Sequence, residues 1–234
     1  MIYITGDTHG DRLRFIENNM GDDEWTENDT LIVCGDFGFV FCPDSFGEAE
    51  FLDYLETKPY TICFCDGNHE NFPAIFSYPE ERWNKGRIHR IRRNVIHLMR
   101  GQIYEIENKT FFTFGGAYSI DKAWRAEGRS WWSEELPTGE EYAEGFKNLK
   151  KNNYTVDYII THTAPQSVIQ KMCAKQPWYS RVKPEMNTEE YQLIAFLGEV
   201  LHKTNFKHWY FGHWHCDIEV DDLFEAVYLN VHKL

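Results

Sequence analysis

No run of eighteen uncharged apolar residues occurs in the 234-residue chain, so no segment has the length and composition of a membrane-spanning helix. The start, Met1-Ile2-Tyr3-Ile4-Thr5-Gly6-Asp7, reads as a strand and lacks the basic, apolar, cleavable pattern of an export signal; the cytoplasm is the expected compartment. Paired CxxC spacing is missing as well. The six cysteines stand at 34, 42, 63, 65, 173 and 216, and buried free thiols are expected. Cationic excess is also absent: 24 Lys and Arg against 37 Asp and Glu leave a formal charge of −13. That balance disfavours broad nucleic-acid binding, which works by displacing counterions from phosphates. No repeat, linker or low-complexity tract divides the chain, and with 42% apolar residues it has enough for one sizeable core, so a single domain over 1–234 is expected.

One stretch runs against the acidic balance. Arg82, Lys85, Arg87, Arg90, Arg92, Arg93 and Arg100 are concentrated within nineteen residues, as a solvated face or as a docking strip for a phosphorylated partner.

Apolar strands alternate with helical patterns in the first half. Met1 to Thr5 leads into the tight loop Gly6-Asp7-Thr8-His9-Gly10, and Asp11 to Met20 carries Leu13, Phe15 and Ile16 on a helical face. Thr30 to Cys34 runs into Gly35-Asp36. Ser45 is placed to cap a helix through Glu56, with Phe46, Ala49, Leu52, Tyr54 and Leu55 available for packing; Pro59 stops it before the strand Tyr60 to Cys65. The alternation implies a βαβ core with mostly parallel pairing. Asn94 to Met99, Ile103 to Ile106 and Thr110 to Phe114 read as successive strands joined by turns at Gly101 and Asn108-Lys109, with antiparallel pairing expected. Thr138 with Glu141 matches a capping box. Gln166 to Met186 reads as a long loop, a lid or rim, and Thr188 to Lys203 as the clearest helix.

Five strand ends carry Asp7 with His9, Asp36, Asn68 with His69, His162, and His213 with His215. Chance would scatter these residues, and carboxyl ends of strands are where open α/β sheets place ligands. Imidazole and carboxylate in this proportion suit manganese, iron or zinc. One ion needs three or four protein ligands and here there are seven candidates besides His69, so two ions are expected, with Asp36 able to bridge them through its two oxygens. Two such ions can bind phosphate oxygens and turn a bridging water into hydroxide. Gly67 is expected to let the backbone turn sharply enough to present both Asn68 and His69.

In order, the blocks Asp7-Thr8-His9, Gly35-Asp36, Gly67-Asn68-His69-Glu70, His162 and Gly212-His213-Trp214-His215 resemble the pattern of the calcineurin-like metallophosphoesterases. The resemblance runs from residue 7 to residue 215 and implies an α/β fold: a βαβ-derived sandwich of two mixed sheets flanked by helices. It implies that Asp7, His9, Asp36 and His215 hold one ion, that Asp36, Asn68, His162 and His213 hold the other, and that His69 is general acid or phosphate-oxygen donor. A histidine beside ligand Asn68 can reach substrate while staying outside the metal's shell. Glu70 either orients the loop or serves as an ordinary helix-start acid.

The protein phosphatases of that superfamily carry G-D-x-x-D-R-G, whereas this chain reads Gly35-Asp36-Phe37-Gly38-Phe39, which disfavours that branch. Arg125 or Arg129 is the candidate phosphate ligand in its place, with Trp124, Trp131 and Trp132 available to stack on a base or to pack the loop. The expected function is hydrolysis of a small or nucleotide-like phosphate ester, leaning to a phosphodiesterase. A phosphomonoesterase, a nuclease and a non-catalytic metal-binding scaffold are the alternatives.

Overall fold

The computed structural model describes residues 1–42, 45–176 and 189–234. In chain order the strands of the first half are β1 (Ile2–Thr5), β2 (Thr30–Val33), β3 (Thr61–Phe64), β4 (Glu80–Trp83), β5 (Gly86–Arg92), β6 (Val95–Leu98), β7 (Gln102–Ile106) and β8 (Lys109–Phe114). Helix α1 (Phe46–Thr57) lies between β2 and β3, and α2 (Phe72–Phe76) follows β3. The second half contributes α3 (Gly139–Lys151), β9 (Tyr158–Thr161), α4 (Gln166–Lys175), α5 (Tyr191–Lys203), β10 (His208–Phe211), β11 (Ile218–Asp221), β12 (Phe224–Ala226) and β13 (His232–Lys233).

Two mixed sheets result. The first has the order β13-β1-β2-β3-β6-β5-β4, and its inner strands β1, β2, β3 and β6 run parallel. The second has the order β11-β12-β10-β9-β8-β7, with β8, β9, β10 and β12 parallel. Antiparallel strands close the edges of both. Alternation along each strand assigns its two faces. Ile2, Ile4, Ile32, Cys63 and Ile96 of the first sheet meet Tyr104, Phe111, Ile160 and Tyr210 of the second in a core between the sheets. Leu31, Val33, Ile62 and Phe64 face the other way, onto Phe51, Leu52 and Leu55 of α1. Phe112, Phe114, Ile159, Trp209 and Phe211 do the same beneath α3, α4 and α5. This is the expected sandwich of two mixed sheets flanked by helices.

Local chemistry explains where elements begin and where expectations fail. Ser45 accepts from Glu48 N to start α1, but Phe46 is 83% exposed rather than packed, because it lies in the first turn, beyond the sheet. The capping box of Thr138 and Glu141 is present at the start of α3. The helix expected over Asp11 to Met20 shrinks to a single 3₁₀ turn, Arg12–Phe15. Asp11 takes its own chain's Leu13 N–H, and Glu17 and Asn18 stand at φ 51° and 57°, which no helix can continue through. β6 and β7 are not neighbours: the turn at Gly101 carries the chain from one sheet to the other, and β6 pairs parallel to β3. Within the expected Gln166 to Met186 loop, Gln166–Lys175 is helical and buries Val168, Ile169, Met172 and Cys173; the remainder, 177–186, lies outside the described residues, as does Thr188 at the expected start of α5.

All six cysteines are free; Cys42 is exposed, unlike the buried thiols expected. The basic strip is consumed largely by internal ion pairs: Arg87 with Glu80 and Glu144, Arg90 with Glu81, Arg92 with Asp53 and Lys85 with Glu105. No helix among the described residues is long and apolar enough to cross a membrane.

Candidate metal centre

Parallel pairing of β1, β2 and β3 brings the loops after them to one edge of the first sheet, and parallel pairing of β9 and β10 does so in the second. These loops meet across the seam. The 7–10 and 35–37 segments are laced by backbone bonds, His9 N to Asp36 O at 2.7 Å and Gly10 N to Phe37 O at 3.0 Å, and Thr8 Oγ1 donates to Phe37 O at 2.8 Å. Arg14, which the sequence patterns did not single out, donates to Gly6 O and Tyr228 O and so ties the first loop to the last.

Asp7, His9, Asp36 and His215 each offer one donor atom, and these four atoms lie within 4.8 Å of one another. His9 Nε2 and His215 Nε2 are 2.8 Å apart, His215 Nε2 is 3.6 Å from Asp7 Oδ1, and His9 Nε2 is 3.5 Å from Asp36 Oδ2. On the other side of Asp36, His162 Nε2 stands 3.4 Å from the same Oδ2 and 3.0 Å from Asn68 Oδ1, with the His213 ring 5.0 Å from the His162 ring. Asp36 Oδ2 thus faces both groups, while Asp36 Oδ1 accepts the His69 N–H at 2.7 Å.

Several bonds aim these side chains. His162 Nδ1–H donates to Cys34 O at 2.9 Å, which turns Nε2 towards Asn68 and Asp36. Asn68 Nδ2 donates to Ser119 Oγ at 3.0 Å, fixing Oδ1 towards His162. Glu70, fully buried, accepts from Phe37 N at 2.7 Å and Gly38 N at 3.4 Å, so it orients the loop after β2. Its burial, with Asp36 nearby, pushes its carboxyl well up.

The backbone is held in a sparsely populated region at this site. Asp7, His9, Asp36, His213 and His215 all have positive φ, between 46° and 70°, a conformation that costs of order 1–3 kcal/mol per residue and persists only where surroundings enforce it. Gly67 plays a different part from the one expected. It is not among the glycines with positive φ; a Cβ there would stand 2.0 Å from Asp36 Oδ1. Likewise a Cβ on Gly35 would stand 2.1 Å from His162 Nδ1, so each glycine admits a side chain from a neighbouring loop.

Behind the Asn68–His69 turn, Asp66 forms a buried ion pair with Arg100, whose Nε donates at 2.8 Å and whose Nη2 donates at 2.5 Å, while His97 Nε2 sits 3.1 Å from the other oxygen. Burial alone would raise the Asp66 pKa; the Arg100 charge and the His97 bond override it and hold it at about 2. Arg100 also donates to Glu134 O and thereby links β3 to the irregular stretch after Gly116. Losing Arg100 would strand a buried carboxylate, a cost of about 3–5 kcal/mol.

That stretch places Arg125 at the site. Its Nη2 contacts His69 Nδ1, its Nε is held by Asp121 Oδ2 at 2.8 Å, and its Nη1 donates to Ser130 O at 2.9 Å. Arg129 is exposed on the same stretch, and among the described residues no side-chain contact joins it to the histidines. Of the three tryptophans, Trp132 is buried against Phe41, Trp131 lies over Lys122, and Trp124 is 85% exposed beside Arg125. Lys122 is tied to the buried Glu135 at 2.7 Å.

Burial pushes the Asp7 carboxyl up to about 8, with Asp36 adding to the rise and His162 opposing it. His162 would be lowered by burial, but the adjoining Asp36 carboxylate holds it at about 10. Desolvation among neighbouring imidazoles and carboxylates lowers His9 to about 4 and His213 to about 3, so both present neutral nitrogen lone pairs at neutral pH. Two buried carboxylates sharing their charge with protons, converged upon by neutral imidazoles, form a donor set that fits divalent metal ions.

A family model described as calcineurin-like phosphoesterase matches residues 1–217. The chain belongs to the calcineurin-like phosphoesterase family. As a calcineurin-like phosphoesterase it is a metal-dependent phosphoric ester hydrolase that uses divalent ions. No curated protein matches the chain in a search of such sequences.

Proposed function

We propose that this phosphoesterase is a phosphodiesterase for a small or nucleotide-like phosphate ester, acting as one domain in the cytoplasm with two divalent ions drawn from manganese, iron and zinc. One ion is assigned to Asp7, His9, Asp36 and His215, and the other to Asp36, Asn68, His162 and His213. When bound, the ions supply an activated water and neutralise phosphate charge. Support for the pair comes from Asp36 Oδ2, within 3.5 Å of a histidine nitrogen on either side. The observation that carries the substrate assignment is Arg125, a charged donor in contact with His69, preceded in the chain by the exposed Trp124. A guanidinium can hold a phosphate oxygen and an indole can stack on a second ester group. Free thiols suit a reducing compartment.

Within that assignment, His69 presents a ring N–H to a phosphate or leaving-group oxygen. Arg125 orients the ring and Asp36 fixes its backbone. The nuclease alternative loses ground because most of the basic strip is neutralised by carboxylates of the same chain.

A panel comprising an aryl monoester, an aryl diester, cyclic nucleotides and single-stranded DNA, run with added manganese, tests the assignment. Turnover is expected to be highest on the diester or a cyclic nucleotide; preference for the monoester would replace the assignment with a phosphomonoesterase, and no turnover on any member would favour a scaffold.

Metal uptake is expected to approach about two ions per chain and to release protons, because the ions displace those held by Asp7 and His162 at neutral pH. Apparent affinity should therefore rise between about pH 6 and about pH 8. Equilibrium dialysis with elemental analysis reads the stoichiometry, and an indicator dye in weak buffer reads the protons. Near-zero uptake would remove the ligand assignment.

A further inference from the structure

A second charged site lies away from the histidines. β4 is an edge strand of the first sheet and β7 of the second; β5 lies against β7, and α3 packs on β7. A groove of about 480 Å³ remains between the β4–β5 hairpin, β7 and the C-terminal half of α3. Five cations line it, Arg82, Lys85, Arg87, Lys147 and Lys151, against one carboxylate, Glu144. Arg87 is locked by Glu80 and Glu144, and Lys85 by Glu105. Among the described residues no carboxylate lies within ion-pair distance of Arg82, Lys147 or Lys151.

In a chain of net charge −13, three unneutralised cations facing one cleft are not the default of a solvated surface. Lys151 has an ordinary explanation, because it sits in the last turn of α3, where a cation complements the helix dipole. Arg82 does not share it: it comes from the other sheet, on an edge strand, and points its charge at the same space. The walls are also fixed before any ligand arrives. Glu144 accepts from Gln102 Nε2 at 3.0 Å and from Arg87, Asn148 Nδ2 donates to Gly101 O at 2.8 Å, and Glu105 N donates to Asn84 O at 2.9 Å.

We propose that this groove is a binding site for a small polyanion carrying two or more phosphate groups. Its volume suits a small ligand, for which pockets run roughly 300–1,000 Å³. The guanidinium fork of Arg82 and the ammonium groups of Lys147 and Lys151 match phosphate oxygens, which accept several charge-assisted bonds each. No lining residue is aromatic, so recognition is of the phosphates and not of a base. A long nucleic acid is disfavoured because the surface beyond the groove carries the whole of the chain's negative excess. The site does not depend on the metal centre or on its proposed substrate.

Isothermal titration of the manganese-loaded protein with inorganic tripolyphosphate tests it. Two classes of site are expected in the wild type, one at the metal centre and one in the groove. Arg82→Glu with Lys151→Glu should weaken the groove class at least tenfold while metal content and ester hydrolysis stay at wild-type levels. The neutral pair Lys147→Gln with Lys151→Gln should weaken it by a smaller factor, and serves if the charge reversal unfolds. Lys175→Glu with Lys233→Glu makes the same charge change elsewhere and should leave both classes intact. A nucleoside triphosphate should bind the groove about as tightly as tripolyphosphate, and inorganic phosphate more weakly. Wild-type binding in both groove variants would overturn the proposal. Equal weakening in the control pair would overturn it too, because it would trace the affinity to the overall field, and tighter binding of single-stranded DNA would transfer the groove to nucleic acid.

Discussion

Asp36→Asn is expected to lower kcat/KM on a phosphate ester by about three orders of magnitude or more, the equivalent of losing several kcal/mol of charge stabilisation at about 1.4 kcal/mol per decade. The substitution is nearly isosteric, and Oδ1 can still accept the His69 N–H that Asp36 now takes at 2.7 Å. What it removes is the charge on Oδ2, the one atom placed between His9 Nε2 and His162 Nε2. Both proposed ions lose a ligand at once. In the metal-free protein the same substitution also costs stability, because Asp36 is a buried charge held ionised by the surrounding histidines, and its loss leaves the buried His162 without the carboxylate that keeps it protonated. Thermal unfolding separates the two effects. The wild type should gain stability on manganese addition, by about 2.7 kcal/mol at a hundredfold excess over Kd, and Asp36→Asn should gain little. Turnover within tenfold of wild type at saturating manganese would refute the bridging position.

The convergence of the candidate ligands was legible because each ends a short buried strand, where a polar residue after an apolar run has no packing role to fill. Glycine added to the signal, though for Gly67 the reason proved to be the approach of Asp36 and not a turn in its own backbone. Five of those candidates also occupy left-handed backbone, a feature that nothing in their residue types announces. Partnerships formed at long range left no local trace. Arg100 looked like one more member of a basic strip, yet it is buried against Asp66, thirty-four residues earlier. The hairpin of β4 and β5 was hidden because Glu80–Trp83 is an exposed edge strand without apolar alternation. The change of sheet at Gly101 was invisible for a related reason: two strands joined by a short turn read as a hairpin until their partners are known. Arg125 and Arg129 could only be named together, because which of two nearby arginines faces the histidines depends on the fold of the whole 118–135 stretch, where Asp121 and Ser130 hold Arg125 in place.

His69→Ala is expected to keep its metal and lose ester hydrolysis by about two to four orders of magnitude, the range for removing a positioned acid. The ring is not one of the clustered donors; its centroid is 5.3 Å from that of His9, and only its backbone touches Asp36. Its tautomer follows from its partner. A guanidinium has only donors, so with Arg125 Nη2 against Nδ1 that nitrogen must accept, and the ring's proton sits on Nε2. Burial lowers the His69 pKa, and Arg125 lowers it further against the pull of Asp36, so the ring is neutral at pH 7 and works as an Nε2–H donor. The leaving group then distinguishes two uses of that proton. If the minor imidazolium form gives a proton to the departing oxygen and returns to neutral imidazole, the loss in His69→Ala should be large for an alkyl ester and small for a nitrophenyl ester, whose anion leaves unaided. If it stays as a hydrogen bond to a phosphate oxygen, both esters should lose equally, and His69→Gln, which retains an N–H near the same position, should recover part of the rate. Arg125→Ala should then move the pH profile of the wild-type rate to higher pH, since the guanidinium no longer opposes protonation of the ring. Unchanged turnover in His69→Ala on both esters would exclude the residue from the mechanism.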